Sequence, residues 1–152
     1  MKYKSILLVA VLSAVTCISG CTRNQLKDYV IGVPVENCSK VSYDNYHLTD
    51  NGVNIYCPSG SLVVAAMDGI VDNMSKDSMG WVIQTINPSY QFTSQYSYLD
   101  SPLVHIRDTL SIYDTIGVTA YQTRYLRFVL YQLSNKDTIY LNPLPKFNDW
   151  FQ

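Results

Sequence analysis

The sequence predicts an all-β, antiparallel fold, sandwich-like or barrel-like, and three observations lead there. Tyrosine is the outlier of the composition, with 13 residues in 152, and its ring favours half-buried pleated surfaces. From Gly52 onward, short runs of β-branched and aromatic residues are bounded by Gly, Pro, Asn and Asp roughly every ten residues. No stretch combines a helical period with caps at both ends. The length fits one domain, and an apolar share of 47% against 15% charged residues supplies a core rather than a disordered tail. A net charge of −1 leaves no basic excess to neutralise a phosphate backbone, which argues against nucleic acid as a partner.

Taken in order, residues 1–20 read as a secretory signal: Lys2 and Lys4 form the positive start, and Ile6 to Val15 form the apolar run. That run is short for a permanent membrane helix. Ile18-Ser19-Gly20-Cys21 resembles the bacterial lipobox, which implies acylation of Cys21 and a lipid anchor in the membrane. An ordinary cleaved signal with an incidental cysteine is the alternative. The expected location is the cell envelope, lipid-anchored to a bacterial membrane. Thr22 rather than an acid follows the cysteine, which favours the outer membrane and its periplasmic side. Loss of the leader removes two lysines and no acid, so the charge moves from −1 to −3. Residues 21–45 read as a tether and lead-in ending in an edge segment. With Cys17 discarded and Cys21 acylated, Cys38 and Cys57 remain, either as a disulfide worth about 3 kcal/mol or as two thiols.

Eight strands are expected: Leu62–Ala66, Ile70–Asn73, Trp81–Ile86, Phe92–Leu99, Leu110–Ile112, Gly117–Ala120, Tyr125–Leu133 and Thr138–Leu141. Strand alternation puts Leu126, Phe128 and Leu130 on a core face, so Tyr125 and Arg127 point together toward a groove or solvent. By the same period Tyr96 and Tyr98 share a face. Trp81 reads as core. Asn142, Pro143 and Pro145 read as a closing loop, and residues 148–152 as a tail. In that tail, Trp150 and Phe151 either pack or stand exposed as an anchor.

The order of segments resembles a known family. Asp50-Asn51-Gly52-Val53-Asn54-Ile55, then Pro58, then Gly60-Ser61-Leu62-Val63-Val64-Ala65-Ala66-Met67-Asp68-Gly69-Ile70-Val71 looks like the opening of the lysostaphin-type (LytM-like) peptidoglycan metallopeptidase domain. Gly80-Trp81-Val82, Tyr96-Ser97-Tyr98-Leu99, the stretch from Asp108-Thr109-Leu110 to Ile116-Gly117, Tyr125-Leu126-Arg127-Phe128 and Asn142-Pro143-Leu144 follow in the family's order. The resemblance covers Thr49 to Phe147 and implies a LytM-like domain over 46–147, with Gly60 to Val71 as its strongest match.

What the resemblance implies for chemistry is altered at the decisive positions. The family holds zinc with a His and an Asp of its first motif and the second His of a His-x-His pair, and two further histidines assist the attacking water. The matching positions here carry Asp50 and Asn54, then Arg127, then Tyr125 and Tyr98. Arginine stays protonated and cannot ligate, and neutral Asn54 is a poor ligand. Tyrosines near their ordinary pKa are poor general bases. His47, three residues before Asp50, and His105 could join a rearranged site, although a lone histidine is usually a surface or packing residue. The expectation is therefore a degenerate site with no cofactor and no catalytic residue, hence a pseudo-enzyme. An Arg127–Asp50 pair takes the metal's place, and Asp50, Asn54, Tyr96, Tyr98, Tyr125 and Arg127 line the groove. Peptidoglycan or a cell-wall hydrolase is the implied partner. A zinc endopeptidase with rearranged ligands and a purely structural envelope scaffold stay open as alternatives.

Overall fold

The protein, seen in a computed structural model, is described over residues 30–43, 52–133 and 137–147. Among these residues ten strands join one sheet: β1 (Lys40–Tyr43), β2 (Val53–Tyr56), β3 (Leu62–Val64), β4 (Gly69–Asp77), β5 (Gly80–Asn87), β6 (Phe92–Pro102), β7 (Thr109–Leu110), β8 (Thr115–Thr119), β9 (Tyr125–Leu133) and β10 (Thr138–Leu141). A single helical turn, α1 (Leu144–Phe147), follows. All the strand pairings are antiparallel, as the hydrophobic alternation leads one to expect.

Strand β9 is the hub. One of its edges pairs with β6, while its other edge is shared end to end: β2 takes Tyr125–Phe128 and β10 takes Leu130–Leu133. Beyond β6 the sheet continues through β5 and β4 to β7. Past a register shift, the C-terminal part of β6 pairs with β8, which in turn pairs with β3. Leu126, Phe128 and Leu130 of β9 are fully buried beside Val53, Ile55, Ile83 and Leu99, so the core lies on the face that alternation assigned to them.

The closing strands β9 and β10 have the bounds expected from sequence. Strand β4 runs four residues further than expected, to Asp77, because its exposed polar end is held by the hairpin to β5 rather than by burial. The turn closes on Asp77, whose carboxylate accepts the Met79 and Gly80 amides at 2.7 and 3.0 Å. Gly80 there has φ +137°, and a Cβ would strike the Leu99 carbonyl oxygen. Leu110–Ile112 shrinks to Thr109–Leu110, since Asp114 accepts the Ser111 amide at 2.7 Å and turns the chain away. Trp81 is half-buried, with Lys76 lying 5.7 Å from its ring centre.

Three expectations need correction. The lead-in is no tether from residue 31 onward. Ile31, Val33 and Val35 belong to the core, and Gly32, Pro34 and Glu36 exchange backbone bonds with Ala66, Val64 and Leu62. The packed unit thus starts well before residue 46; three apolar residues interrupted by Gly32 and Pro34 are too short a signal. The closing loop contains α1, which delivers Phe147 to the core at 0% exposure, 5.8 Å from the Phe128 ring. Finally, Tyr96 and Tyr98 do not share a face. Tyr98 has φ +71° at a bulge where Trp81 pairs with Leu99 and Val82 with Ser97. The extra residue leaves Tyr96 and Leu99 on the core side and turns Tyr98 outward. The leader, Cys21, His47, Asp50 and the Trp150–Phe151 tail lie outside the described residues.

If α1 locks the core as described, Phe147→Ala should lower stability by about 3–5 kcal/mol. Exposed Leu133→Ala should stay within about 0.5 kcal/mol. Urea unfolding followed by tyrosine fluorescence compares the two.

Candidate functional site

The outer face of the sheet carries the alternate residues of β9: Tyr125, Arg127, Val129 and Tyr131. Across from them β2 presents Tyr56 and Asn54, in register with Tyr125 and Arg127. On the other edge Ser97 of β6 is in register with Arg127. Two antiparallel registers therefore bring Asn54, Ser97 and Arg127 into one row, although they lie far apart in sequence.

Arg127 is 5% exposed. Its Nη1 donates to Asn54 Oδ1 at 3.4 Å. The side chain thus lies buried at the floor of this face and does not reach into solvent, one of the two directions alternation left open. Gly52 explains part of this cover: a Cβ there would lie 2.9 Å from Val129 Cγ2 and 3.1 Å from Arg127 Nη2. The glycine lets the chain entering β2 press onto the arginine. Asp50, the expected partner of Arg127, is outside the described residues.

Above this floor stands an aromatic trio. Tyr98 meets Tyr125 edge-on, with ring centres 5.5 Å apart, and Tyr56 lies 5.6 Å from Tyr125 on its other flank. All three are half-buried. The backbone of Tyr98 is pinned where the Ala120 amide donates to its carbonyl at 2.9 Å. Tyr56 escaped the sequence reading because its role follows from the β2–β9 register, which a short four-residue strand does not announce. The signal available was its alternation with Asn54. Tyr96 is corrected out of the groove: it is fully buried, 5.3 Å from the Phe128 ring, and its hydroxyl accepts the Ala66 amide at 2.9 Å.

The resemblance implies zinc, and the described residues do not fit it. Where two ligands would stand, an amide oxygen is bonded to a guanidinium, and the guanidinium offers no lone pair and a permanent positive charge. Among the described residues no three His, Cys, Asp or Glu side chains are grouped to hold a metal ion. The side chain of His105 is 92% exposed and stands 3.7 Å from Asp108, away from the groove.

Cys38 and Cys57 are both thiols here, and Cys57 belongs to the core while Cys38 packs against it. Burial pushes both thiols up, against the lowering effect of hydrogen bonds, and the charge of Cys57 adds to the rise at Cys38. Burial likewise raises the Tyr96 phenol, opposed chiefly by the bond from the Ala66 amide.

No protein-family model matches the sequence, and no curated protein sequence matches it. Solved structures do match its fold. The catalytic domain of the antimicrobial peptidase lysostaphin from Staphylococcus simulans superposes with a TM-score of 0.57 at 22% identity, over 72% of this chain and 92% of that one. Lysostaphin in solution gives 0.58 at 23% identity, over 72% of this chain and 50% of its own. LytM from Ruminococcus gnavus gives 0.59 at 23% identity, over 74% and 57%. The chain therefore has the lysostaphin-type, LytM-like fold, and it spans about half of whole lysostaphin.

Two outcomes are expected from this geometry. Asn54→Ala removes an acceptor from a buried cation and should cost about 1–3 kcal/mol in urea unfolding. The raised thiols and phenol also fix the sign of the pH dependence. The unfolded chain loses these protons first, so stability falls as pH climbs through the ordinary thiol value of 9.0 toward the higher folded values. Urea midpoints of the reduced protein should drop between about pH 8 and about pH 10. Cys57→Ala should reduce that drop.

Proposed function

We propose that this chain is a catalytically inactive envelope lipoprotein that binds peptidoglycan through the groove its fold relatives use for peptidase chemistry, and that it acts on the cell wall by recognition. Residues 1–20 are the signal peptide, Cys21 carries the lipid, and residues 46–147 with the packed lead-in form the binding domain. The observation that carries this reading is the Arg127–Asn54 contact at the groove floor, where the resemblance puts zinc ligands. A fixed guanidinium repels a divalent cation, and without a Lewis acid no described group here lowers the pKa of water toward neutrality. The groove keeps a use. Tyr56, Tyr98 and Tyr125 combine an apolar ring with a polar tip, which suits a wet surface of sugars and peptide amides. Regulation of a cell-wall hydrolase follows from occupancy of its substrate.

The purified protein should be retained by isolated sacculi, and Tyr98→Ala should weaken that retention several-fold while leaving the unfolding midpoint within the range of a surface change. It should carry no stoichiometric zinc and leave muropeptides uncut. Retention indifferent to Tyr98→Ala favours a structural scaffold. One zinc per chain, lost on Asp50→Ala together with muropeptide cleavage, would overturn the inactive reading in favour of a peptidase with rearranged ligands.

A further inference from the structure

A second recognition feature lies on the same face, further along β9. Strands β2 and β10 meet the same edge of β9 end to end, and beside β10 the sheet surface sinks into a cavity of about 270 Å3. Gln95 of β6, Val129, Tyr131 and Leu133 of β9, and Thr138 and Tyr140 of β10 line it. No lining side chain carries a charge. The tyrosine rings stand 6.0 Å apart at 54°, forming an open aromatic corner, and Tyr140 is opposite Tyr131 in the β9–β10 register.

The cavity ends a row of neutral polar groups that crosses four strands. Asn73 Nδ2 donates to Gln84 Oε1 at 3.2 Å, Gln84 Nε2 donates to Gln95 Oε1 at 2.9 Å, and Gln95 Nε2 donates to Ser97 Oγ at 3.2 Å. Gln84 Nε2 also reaches the Tyr131 hydroxyl at 3.4 Å. The amides orient one another, so their donor and acceptor directions are set before any ligand arrives. The row leads from the cavity to Ser97, the register partner of Arg127. Burial raises the Tyr131 phenol, a hydrogen bond with Thr93 lowers it, and Tyr140 and exposed Asp72 on β4 add smaller rises, so the Tyr131 hydroxyl stays a neutral donor at physiological pH.

We infer that this cavity is a sugar subsite: it takes one neutral, N-acetylated pyranose ring of a glycan, with the ring's C–H face on Tyr131 and Tyr140 and its amide and hydroxyl groups on Gln95 and Thr138. Size, charge and sheet topology each restrict the ligand. The volume falls below the roughly 300–1,000 Å3 of sites that enclose drug-sized molecules, so it fits a single ring or a comparable group. An acidic stem peptide finds no cation here. At the cavity floor no strand can add, because β6 is paired with β5 and β9, and β9 with β6 and β10. Recognition at the floor comes from side chains, and aromatic faces beside fixed amides suit a sugar. The assignment deepens the peptidoglycan reading by naming the glycan strand, not the peptide, as what the β10 end of the groove holds.

The test uses the purified protein and the tetramer of N-acetylglucosamine, which has sugars and no peptide. Titration followed by amide and side-chain NMR should show millimolar or tighter binding, with shifts at Gln95, Tyr131 and Tyr140. Tyr140→Ala and Gln95→Ala should each weaken it at least several-fold, and Tyr131→Phe keeps the ring as a check on folding. Tyr98→Ala should lower retention on whole sacculi while leaving the ligand-induced shifts at Gln95 and Tyr140 in place. Absence of tetramer binding, or binding indifferent to both Tyr140→Ala and Gln95→Ala, overturns the subsite even if sacculus retention persists. Tetramer binding without sacculus retention would keep the subsite and discard the peptidoglycan reading.

Discussion

Everything on the outer face depends on the strict alternation of β9. One strand must supply Leu126, Phe128 and Leu130 to the core and Tyr125, Arg127 and Tyr131 to the opposite surface, and a one-residue slip would exchange the two sets. Pairing on both edges fixes that register. Strand β6 holds one side through six register pairs, and β2 and β10 divide the other. The groove and the cavity beside β10 are therefore two stretches of a single strand's surface, and their spacing is set by the rise of an extended chain.

The fold was legible wherever burial wrote a pattern into the sequence. The runs of β9 and β10 were bounded by turn residues and alternated cleanly, so their limits were readable. The exposed end of β4 was not, because hairpin bonds rather than apolar contacts hold Ser75 to Asp77. Ile31, Val33 and Val35 are too few and too close to Pro34 to signal a core segment, yet they are buried against β3 and its neighbours. Phe147 lies behind two prolines that read as a loop. The groove was half legible. Asn54, Tyr98, Tyr125 and Arg127 were picked out from the order of motifs, and the structure places them on one face. Tyr96 was misplaced because period-two reasoning fails at a bulge, and a positive φ at a tyrosine leaves no mark in composition. Tyr56 needed the register of its neighbour.

A guanidinium at a position where the resemblance implies a zinc ligand changes how the local structure is held. A zinc site is assembled from deprotonated ligands and couples the local structure to metal supply and pH. A bond between Arg127 and Asn54 couples it to neither. The aromatic trio above it packs by contact between rings, and the backbone of Tyr98 is fixed by the Ala120 amide. This face is held by ring contacts, backbone bonds and one fixed charge.

The stitching of residues 31–36 to the edge formed by Leu62–Ala66 has a mechanical consequence. Gly32 and Glu36 donate to Ala66 and Leu62, and Val64 donates to Pro34, so this stretch is sewn along a strand that pairs with β8 and not with β9. A load entering from the N-terminal side would be spread through those bonds into β3 and β8, and from β8 it would reach β6 at Leu99 and the Ala120–Tyr98 bond, next to the tyrosine trio.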